Sequence, residues 1–304
     1  MKSRKPKVSV CIITFNHEKF ITAALDSILE QDIDFQIEIV AVDDASTDNT
    51  HDILNSYSRK NPEIVRIYQN PFNLGPYRNF LKALQLCSGQ YIAICEGDDF
   101  WISTSKLKKQ VAFLDKEADY AGCIHDAIVT DADGRVTASS YCNHLQNKFD
   151  LKDSMKSLRG RFPTCSLLVR ASILNDNPPQ WFTSHACDTF FLYLAAKTGY
   201  IRYMEDKMSA YRIHSQGTWQ GSNNTSRRRG LLLQEKILWS DRKMRTTCGE
   251  IIRSRIQVLS HEIAVDENES KTMRLHALFL RTRHGFSNFK TIRVSLGILI
   301  RILR

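Results

Sequence analysis

Glu96-Gly97-Asp98-Asp99 puts three carboxylates into one short stretch of chain. Neighbouring carboxylates repel unless something positive lies close. Hard oxygen ligands of this kind suit Mg2+ or Mn2+, which bind through a few carboxylates together with substrate phosphates. Asp43-Asp44 is a second acidic pair. Taken alone, Asp98 or Asp99 could equally cap the helix that follows. Both acidic sets, however, come directly after short apolar runs, and that position favours the metal.

Those runs are the elements that must hold the acids in place. Val8–Thr14, Ile37–Val42, Ile64–Tyr68 and Gln90–Cys95 read as strands, and the stretches between them carry helical spacing. His17–Glu30 has Phe20, Ile21, Ala24, Leu25 and Ile28 on one face, with Asn16 as the expected N-cap. Ser46 or Thr47 is expected to cap the next helix, Gly75-Pro76 opens a third, and Thr104–Leu114 is a fourth. A β-α-β-α order implies a mainly parallel sheet with helices on both faces. Strands buried on both faces read as continuous apolar runs, as these do. Ligands of such sheets bind beyond the carboxyl ends of the strands. If strands one, two and four are neighbours, then Thr14-Phe15-Asn16, Asp43-Asp44 and Glu96–Asp99 converge on one edge.

From Tyr120 the pattern becomes mixed. Tyr120–Thr130 and Phe162–Arg170 read as strands, Asp133-Gly134 as a hairpin turn, and Ala186–Lys197 as a helix. Tyr200–Tyr203 and Met208–Ile213 read as extended. Ser215–Ser226, rich in Gly, Ser and Asn, reads as a loop or lid. Beyond it the chain is helical and basic. The expected division is a catalytic domain over 1–225, with halves 1–115 and 116–225, and a basic helical extension over 226–304.

Val8-Ser-Val-Cys-Ile-Ile-Thr-Phe-Asn16, Ala41-Val-Asp-Asp-Ala-Ser-Thr-Asp48, Asn79 and Ile94-Cys-Glu-Gly-Asp-Asp99 together resemble the family 2 inverting glycosyltransferases of the GT-A fold, in order and spacing, over about the first 115 residues. The resemblance implies an α/β GT-A fold and a nucleotide-diphosphate-sugar donor. It implies that Thr14, Phe15 and Asn16 line the nucleotide pocket, that Asp44 accepts a hydrogen bond from the base, and that Asp43 orients that loop. Arg78 and Asn79 would support the pocket. Asp98 would contact ribose or metal, and Asp99 would bind the metal, Mn2+ or Mg2+. Glu96 stands where the family usually has an Asp, so it is not counted as a ligand. His185-Ala-Cys-Asp188 falls where the family has its general base, which makes Asp188 the candidate base or, more simply, a helix cap. Cys187 departs from the acid the family often places there. Tyr211-Arg-Ile-His-Ser215 resembles a segment that brings a His to the metal in some members, so His214 is a candidate third ligand. Gly217 and Trp219 are placed to close over the donor.

The transmembrane helices and the Gln-x-x-Arg-Trp motif of the processive members are absent from this sequence, which points to single additions in cell-surface polysaccharide or glycolipid assembly. The alternatives are a sugar-phosphate nucleotidyltransferase and a non-catalytic nucleotide-sugar-binding protein. The first wants a Gly-rich basic loop where Thr14-Phe15-Asn16-His17 stands, and G-x-G-x-x-G for a dinucleotide is missing too.

The 304 residues carry a net charge of +9. Lys271–Arg304 holds eight Lys or Arg and no acid, which leaves +1 for residues 1–270. Phe289, Ile292, Leu296, Leu299 and Leu303 recur at helical spacing, flanked by Lys290, Arg293, Arg301 and Arg304. This is the pattern of an amphipathic helix on an anionic membrane, or of a packed helix with a basic edge in water. Nothing resembles a nucleic-acid recognition motif, so no nucleic-acid partner is expected. Eight cysteines without a C-x-x-C pair suggest a reducing, cytoplasmic setting, peripheral to the inner face of the membrane if the tail binds lipid. The acceptor expected is a glycan or a lipid-linked sugar.

Overall fold

A computed structural model of the chain describes residues 5–142, 146–158, 160–175, 187–215, 217, 224–285, 294–295, 298–299 and 301–302. These fall into two compact units, one ending at Gly217 and one beginning at Asn224.

The first unit opens with β1 (Val8–Thr14), α1 (Ile21–Leu29), β2 (Ile37–Asp43), α2 (Thr50–Lys60), β3 (Val65–Gln69), α3 (Pro76–Leu86) and β4 (Tyr91–Ile94). It continues through β5 (Phe100–Trp101), α4 (Lys106–Lys116), β6 (Tyr120–Thr130), β7 (Val136–Ala138), β8 (Lys148–Phe149) and α5 (Leu151–Ser157). β9 (Leu168–Arg170), α6 (Cys187–Thr198) and β10 (Tyr200–Arg212) complete it. All ten strands join one sheet, with the main order β3-β2-β1-β4-β9-β6-β10-β5. β1 lies between β2 and β4, parallel to both, so the three acidic or polar strand ends are neighbours as expected. β9 runs antiparallel between β4 and β6, which joins the two halves into one sheet.

Burial explains the first half. Val8, Val10, Ile12, Ile39, Ala41, Ile92 and Ala93 have no exposed surface, and α1 lays Ile21, Ala24, Leu25 and Ile28 against the sheet. Each of the Val, Leu and Ile side chains stabilises by about 1.5–3 kcal/mol when fully buried.

Several local expectations differ from the structure. α1 begins at Ile21, and no side chain caps it. Asn16 takes a left-handed φ of 56° and reaches across to the loop after β2. α2 is served by Asp48, whose carboxylate accepts from the Thr50 amide, rather than by Ser46 or Thr47. Residues 162–167 form a 3-10 turn at Thr164–Ser166 ahead of the short β9, because the Pro163 carbonyl accepts from both the Ser166 amide and its hydroxyl. The two extended pieces after Tyr200 are one strand, β10, irregular around Lys207 where Glu205-Asp206-Lys207 lies exposed.

Lys106 on α4 is wholly buried. Its Nζ donates to Gln110 Oε1 at 2.8 Å and lies 4.1 Å from the centre of the Trp101 ring. Burial pulls its pKa from 10.5 down to about 8. The unfolded chain therefore binds the proton more tightly, and this group makes stability rise as pH rises from about 8 to 10.5. Lys106→Met is expected to raise the thermal midpoint at pH 7 and to flatten that dependence, read by calorimetry across pH.

The second unit contains α7 (Asn224–Ser240), α8 (Arg242–Val265) and α9 (Lys271–Gly285). Asp241 caps α8 by accepting from the Met244 amide, and Met244, Cys248, Ile252, Ile256, Leu259 and Ile263 form its buried stripe. Part of the positive charge is matched inside this unit, where Arg228 pairs with Asp266 at 2.9 Å and Arg229 pairs with Glu269. Among the described residues no helix is long and apolar enough to cross a membrane. Of the residues that make up the basic tail pattern, only Leu299 and Arg301 are described, and Arg301 is exposed.

Candidate active site

The site is built on the ends of β1, β2 and β4, with β10 arriving from the other half. Asp43 and Asp44 shape the first wall. Asp43 Oδ1 accepts from the Ser46 amide at 3.1 Å and from the Ser46 hydroxyl, and its Oδ2 lies 3.3 Å from His51 Nδ1. Asp43 thus orients its loop. Asp44 accepts from the amides of Leu74 and Gly75, both at 2.9 Å, and from Asn70 Nδ2 at 2.6 Å. It therefore anchors the turn before α3, and the nucleotide role expected for it has to share these oxygens. Asn79 is buried, gives Nδ2 to the Val42 carbonyl at 3.0 Å, and takes a bond from Asn70. Its role is to hold α3 against the end of β2. Arg78 is exposed on the first turn of α3.

Asn16 fastens β1 to this wall. Its amide donates to Ser46 Oγ at 2.9 Å, and its Oδ1 accepts from the Thr47 amide at 2.8 Å. Ala45 has a φ of 60°, a left-handed geometry that disfavours a Cβ by roughly 1–2 kcal/mol and is sustained only by surrounding bonds. Phe15 beside it is 40% exposed. Thr14 is buried, and its Oγ1 has no hydrogen-bond partner.

Gly97, just beyond β4, lies close against the end of β1. Its amide donates to the Ile13 carbonyl at 3.0 Å. A Cβ here would sit 2.7 Å from Thr14 Oγ1 and 2.9 Å from His17 Nδ1. Gly97→Ala is expected to destabilise by about 1–3 kcal/mol through overpacking, measured by chemical denaturation.

Asp98 and Asp99 diverge. Asp98 Oδ2 lies 3.0 Å from His214 Nε2 and 3.9 Å from His17 Nε2. Asp99 points inward, where its Oδ1 accepts from the Arg212 amide at 2.8 Å and its Oδ2 is buried without a hydrogen-bond partner. Among the described residues, one group brings three metal-ligand atoms within 4.8 Å of one another, and it is His17, Asp98 and His214. Of the expected metal set, Asp98 and His214 meet and Asp99 stands apart, turned inward with its Oδ1 held by the Arg212 amide. The mixed carboxylate and imidazole donor set of this group fits a divalent ion.

Arg212 and His17 carry weight that the sequence reading missed. The Arg212 Nε donates to the Asp98 carbonyl and Nη1 to the Ala132 carbonyl, and the guanidinium lies 4.9 Å from the Phe20 ring centre and 5.0 Å from that of Phe100. Arg212 is the residue two before His214, inside the quoted Tyr211–Ser215 segment. His17 is the residue after the Thr-Phe-Asn motif.

Asp188 sits at the start of α6, and its Oδ2 accepts from the Thr164 hydroxyl at 3.3 Å. His185 and Ala186 before it, and Trp219, lie outside the described residues. Burial raises the Asp188 carboxyl above its usual range. Burial, and then the charges of Asp98, Asp99 and Asp188, push Glu96 well above its own. Burial also works to raise Asp98, but the neighbouring His17 and the bond to His214 outweigh it and hold Asp98 low. Burial likewise raises Asp99 well above its usual range, so three raised carboxyls, Glu96, Asp99 and Asp188, accompany one that is held low, Asp98, a clustering of shifted acids typical of functional sites.

The sequence pattern of glycosyl transferase family 2 matches residues 9–177, more than half the chain. The chain belongs to that family. An uncharacterized protein of Mycobacterium tuberculosis is 32% identical over 222 residues, covering 73% of this chain and 63% of that relative. The chain thus spans less than two thirds of that relative's length. Two solved structures share the fold. The Staphylococcus aureus protein TarS (residues 1–349), in complex with UDP-GlcNAc, has a TM-score of 0.67 at 20% identity, over 91% of this chain and 81% of that one. The mannosyltransferase PcManGT of Pyrobaculum calidifontis, in complex with GDP-Man and Mn2+, has a TM-score of 0.57 at 16% identity, over 99% and 82%. The family 2 member described here has the GT-A fold of these proteins: a mixed, mostly parallel sheet with helices following it in sequence.

Proposed function

We propose that this chain is a metal-dependent, inverting glycosyltransferase that moves one sugar at a time from a nucleotide-diphosphate donor to an acceptor hydroxyl. The observation that carries this reading is the meeting of two functions on one sheet edge. Asp98 with its histidines supplies an ion site beside the polar ends of β1 and β2, and Asp188 supplies a base within electrostatic range of it through Glu96. The nucleotide-sugar complexes of its structural neighbours support the donor class.

In this reading Phe15 takes the base or ribose, and Asp43, Asp44 and Asn16 keep that wall rigid. A bound divalent ion supplies neutralisation of the charge that builds on the departing diphosphate. Asp98 and His214 would hold the ion, with Arg212 fixing the backbone of Asp98. Asp188 accepts the proton of the acceptor hydroxyl as that oxygen attacks the anomeric carbon. A single displacement from the face opposite the leaving group inverts the centre. The raised carboxyl of Asp188 and its electrostatic link to Glu96 support the base over a cap alone.

The deciding experiment is a screen of nucleotide-sugar donors by hydrolysis and thermal shift, with Mn2+, Mg2+ or chelator, followed by NMR of the product anomer. Retention of configuration, or equal turnover in chelator, would overturn the corresponding part of the proposal. The acceptor class proposed is a glycan or lipid-linked sugar, met at an anionic membrane through the basic tail. Deleting residues 286–304 is expected to abolish co-flotation with anionic liposomes. Equal flotation of the shortened and full chains would remove that role.

A further inference from the structure

We propose that His17, Asp98 and His214 form a three-ligand protein centre that holds a divalent transition-metal ion before any nucleotide arrives, and that selects such ions over Mg2+. The inference deepens the glycosyltransferase reading and rests on it for the use of the ion. The ligand set itself rests on geometry.

The three residues come from three separate places: the turn after β1, the turn after β4 and the residue pair beyond β10. Ligand atoms sharing an ion at about 2.0–2.2 Å stand roughly 3.0–3.6 Å apart across adjacent octahedral or tetrahedral positions. Here His214 Nε2 is 3.0 Å and His17 Nε2 3.9 Å from the same Asp98 oxygen, and no pair in the group exceeds 4.8 Å. Side-chain rotations of about an ångström bring all three onto one ion.

A hydrogen bond between His214 and Asp98 accounts for two of the three side chains without any metal. It leaves His17 unexplained. The His17 side chain is only 15% exposed, its Nε2 is beyond hydrogen-bond reach of Asp98, and its Nδ1 is buried without a partner. Buried polar groups are normally paired, and leaving one unpaired costs about 1–3 kcal/mol. Nδ1 is packed against Gly97 and stays unpaired, so the ring's outward nitrogen, Nε2, which faces Asp98, is the one left to take an ion. The two imidazoles lie edge to face, with centres 6.0 Å apart, and Phe20 packs on His214 at 4.7 Å. The ring of His214 is thereby fixed from behind while its Nε2 faces the carboxylate.

Ligand type then sets the ion. Mg2+ wants near-octahedral oxygen and keeps several waters, so a site with one carboxylate holds it poorly without substrate phosphates. Imidazole suits Zn2+, Co2+ and Mn2+ better, in the usual descending order from Zn2+ to Mn2+. Three protein ligands also leave open positions, which in the transferase reading would accept the diphosphate oxygens.

The full chain, stripped with chelator, is dialysed against Zn2+, Co2+, Mn2+ or Mg2+ with no nucleotide, and bound metal is counted by mass spectrometry. Free Mn2+ is followed by electron paramagnetic resonance. The expected result is one Zn2+, Co2+ or Mn2+ per chain and Mg2+ at least about tenfold weaker. His17→Gln and His214→Gln should each weaken Mn2+ by at least about tenfold. They should also lose the Mn2+-induced rise in thermal midpoint, while His276→Gln, an exposed residue of α9, behaves as wild type. Circular dichroism verifies that the variants fold. Mg2+ binding as tight as Mn2+, no nucleotide-independent metal, or unchanged affinity in folded His17→Gln would overturn the proposal. Stoichiometric metal without turnover of any donor supports the centre and counts against the transferase reading. Turnover without nucleotide-independent metal does the reverse.

Discussion

Asp188→Asn is expected to lower kcat by about 10²–10⁴-fold with donor affinity nearly unchanged, because it removes only the proton acceptor. The amide keeps an oxygen for the Thr164 hydroxyl, so the thermal midpoint should move little. The pH profile tests the same residue from another side. Burial raises the Asp188 carboxyl, and a base works only when deprotonated. Activity should therefore fall with decreasing pH at values above about 3.9, where an ordinary Asp would titrate. Steady-state kinetics across pH, with isothermal titration of the donor, separate the two effects. A variant with wild-type kcat would remove Asp188 from the reaction.

Asp98→Asn is expected to cost more, since the same oxygen faces both histidines. Losing several kcal/mol of charge stabilisation corresponds to about three or more orders of magnitude in rate. Donor affinity in the presence of Mn2+ should fall with it, unlike in Asp188→Asn. The fold should tolerate the change. The backbone carbonyl of Asp98 still receives Arg212 Nε, and one negative charge is removed from beside Glu96 and Asp99. Kinetics and calorimetry on one preparation would show whether rate and donor affinity fall while the melting temperature holds. Preserved activity would exclude Asp98 as the ligand of a required ion.

The parallel half was legible because its signals are local. Runs such as Val8–Thr14 and Ile37–Asp43 are buried on both faces, and their polar residues sit at the strand ends. Asp43 and Asp98 stand out by residue type at strand ends, whereas Asp188 and His214 are candidates through resemblance alone. What was not legible depends on contacts between distant segments. The left-handed Asn16 is fixed by Ser46 and Thr47, about 30 positions away, and so it does not cap α1. Asp99 turns inward because the Arg212 amide, 113 positions later, takes its oxygen. Lys106 and Gln110 look like a solvated helical pair at i, i+4 spacing, yet both are buried, Gln110 against the Thr164–Ser166 turn and Lys106 against Trp101. His17 reads as one more polar loop residue until His214 is brought opposite it.

The fastening of Asn16 to Ser46 and Thr47 bears on how a donor would be chosen. Two left-handed residues, Asn16 and Ala45, are pinned by side-chain bonds between neighbouring strand ends, and Asp44 pins the turn at Leu74-Gly75 in the same way. This wall is assembled in the free protein and has little left to freeze when a nucleoside lands on it. Discrimination there would come from fit to a fixed shape, with a small entropic penalty, so swapping one nucleobase for another should change binding enthalpy far more than the heat capacity of association.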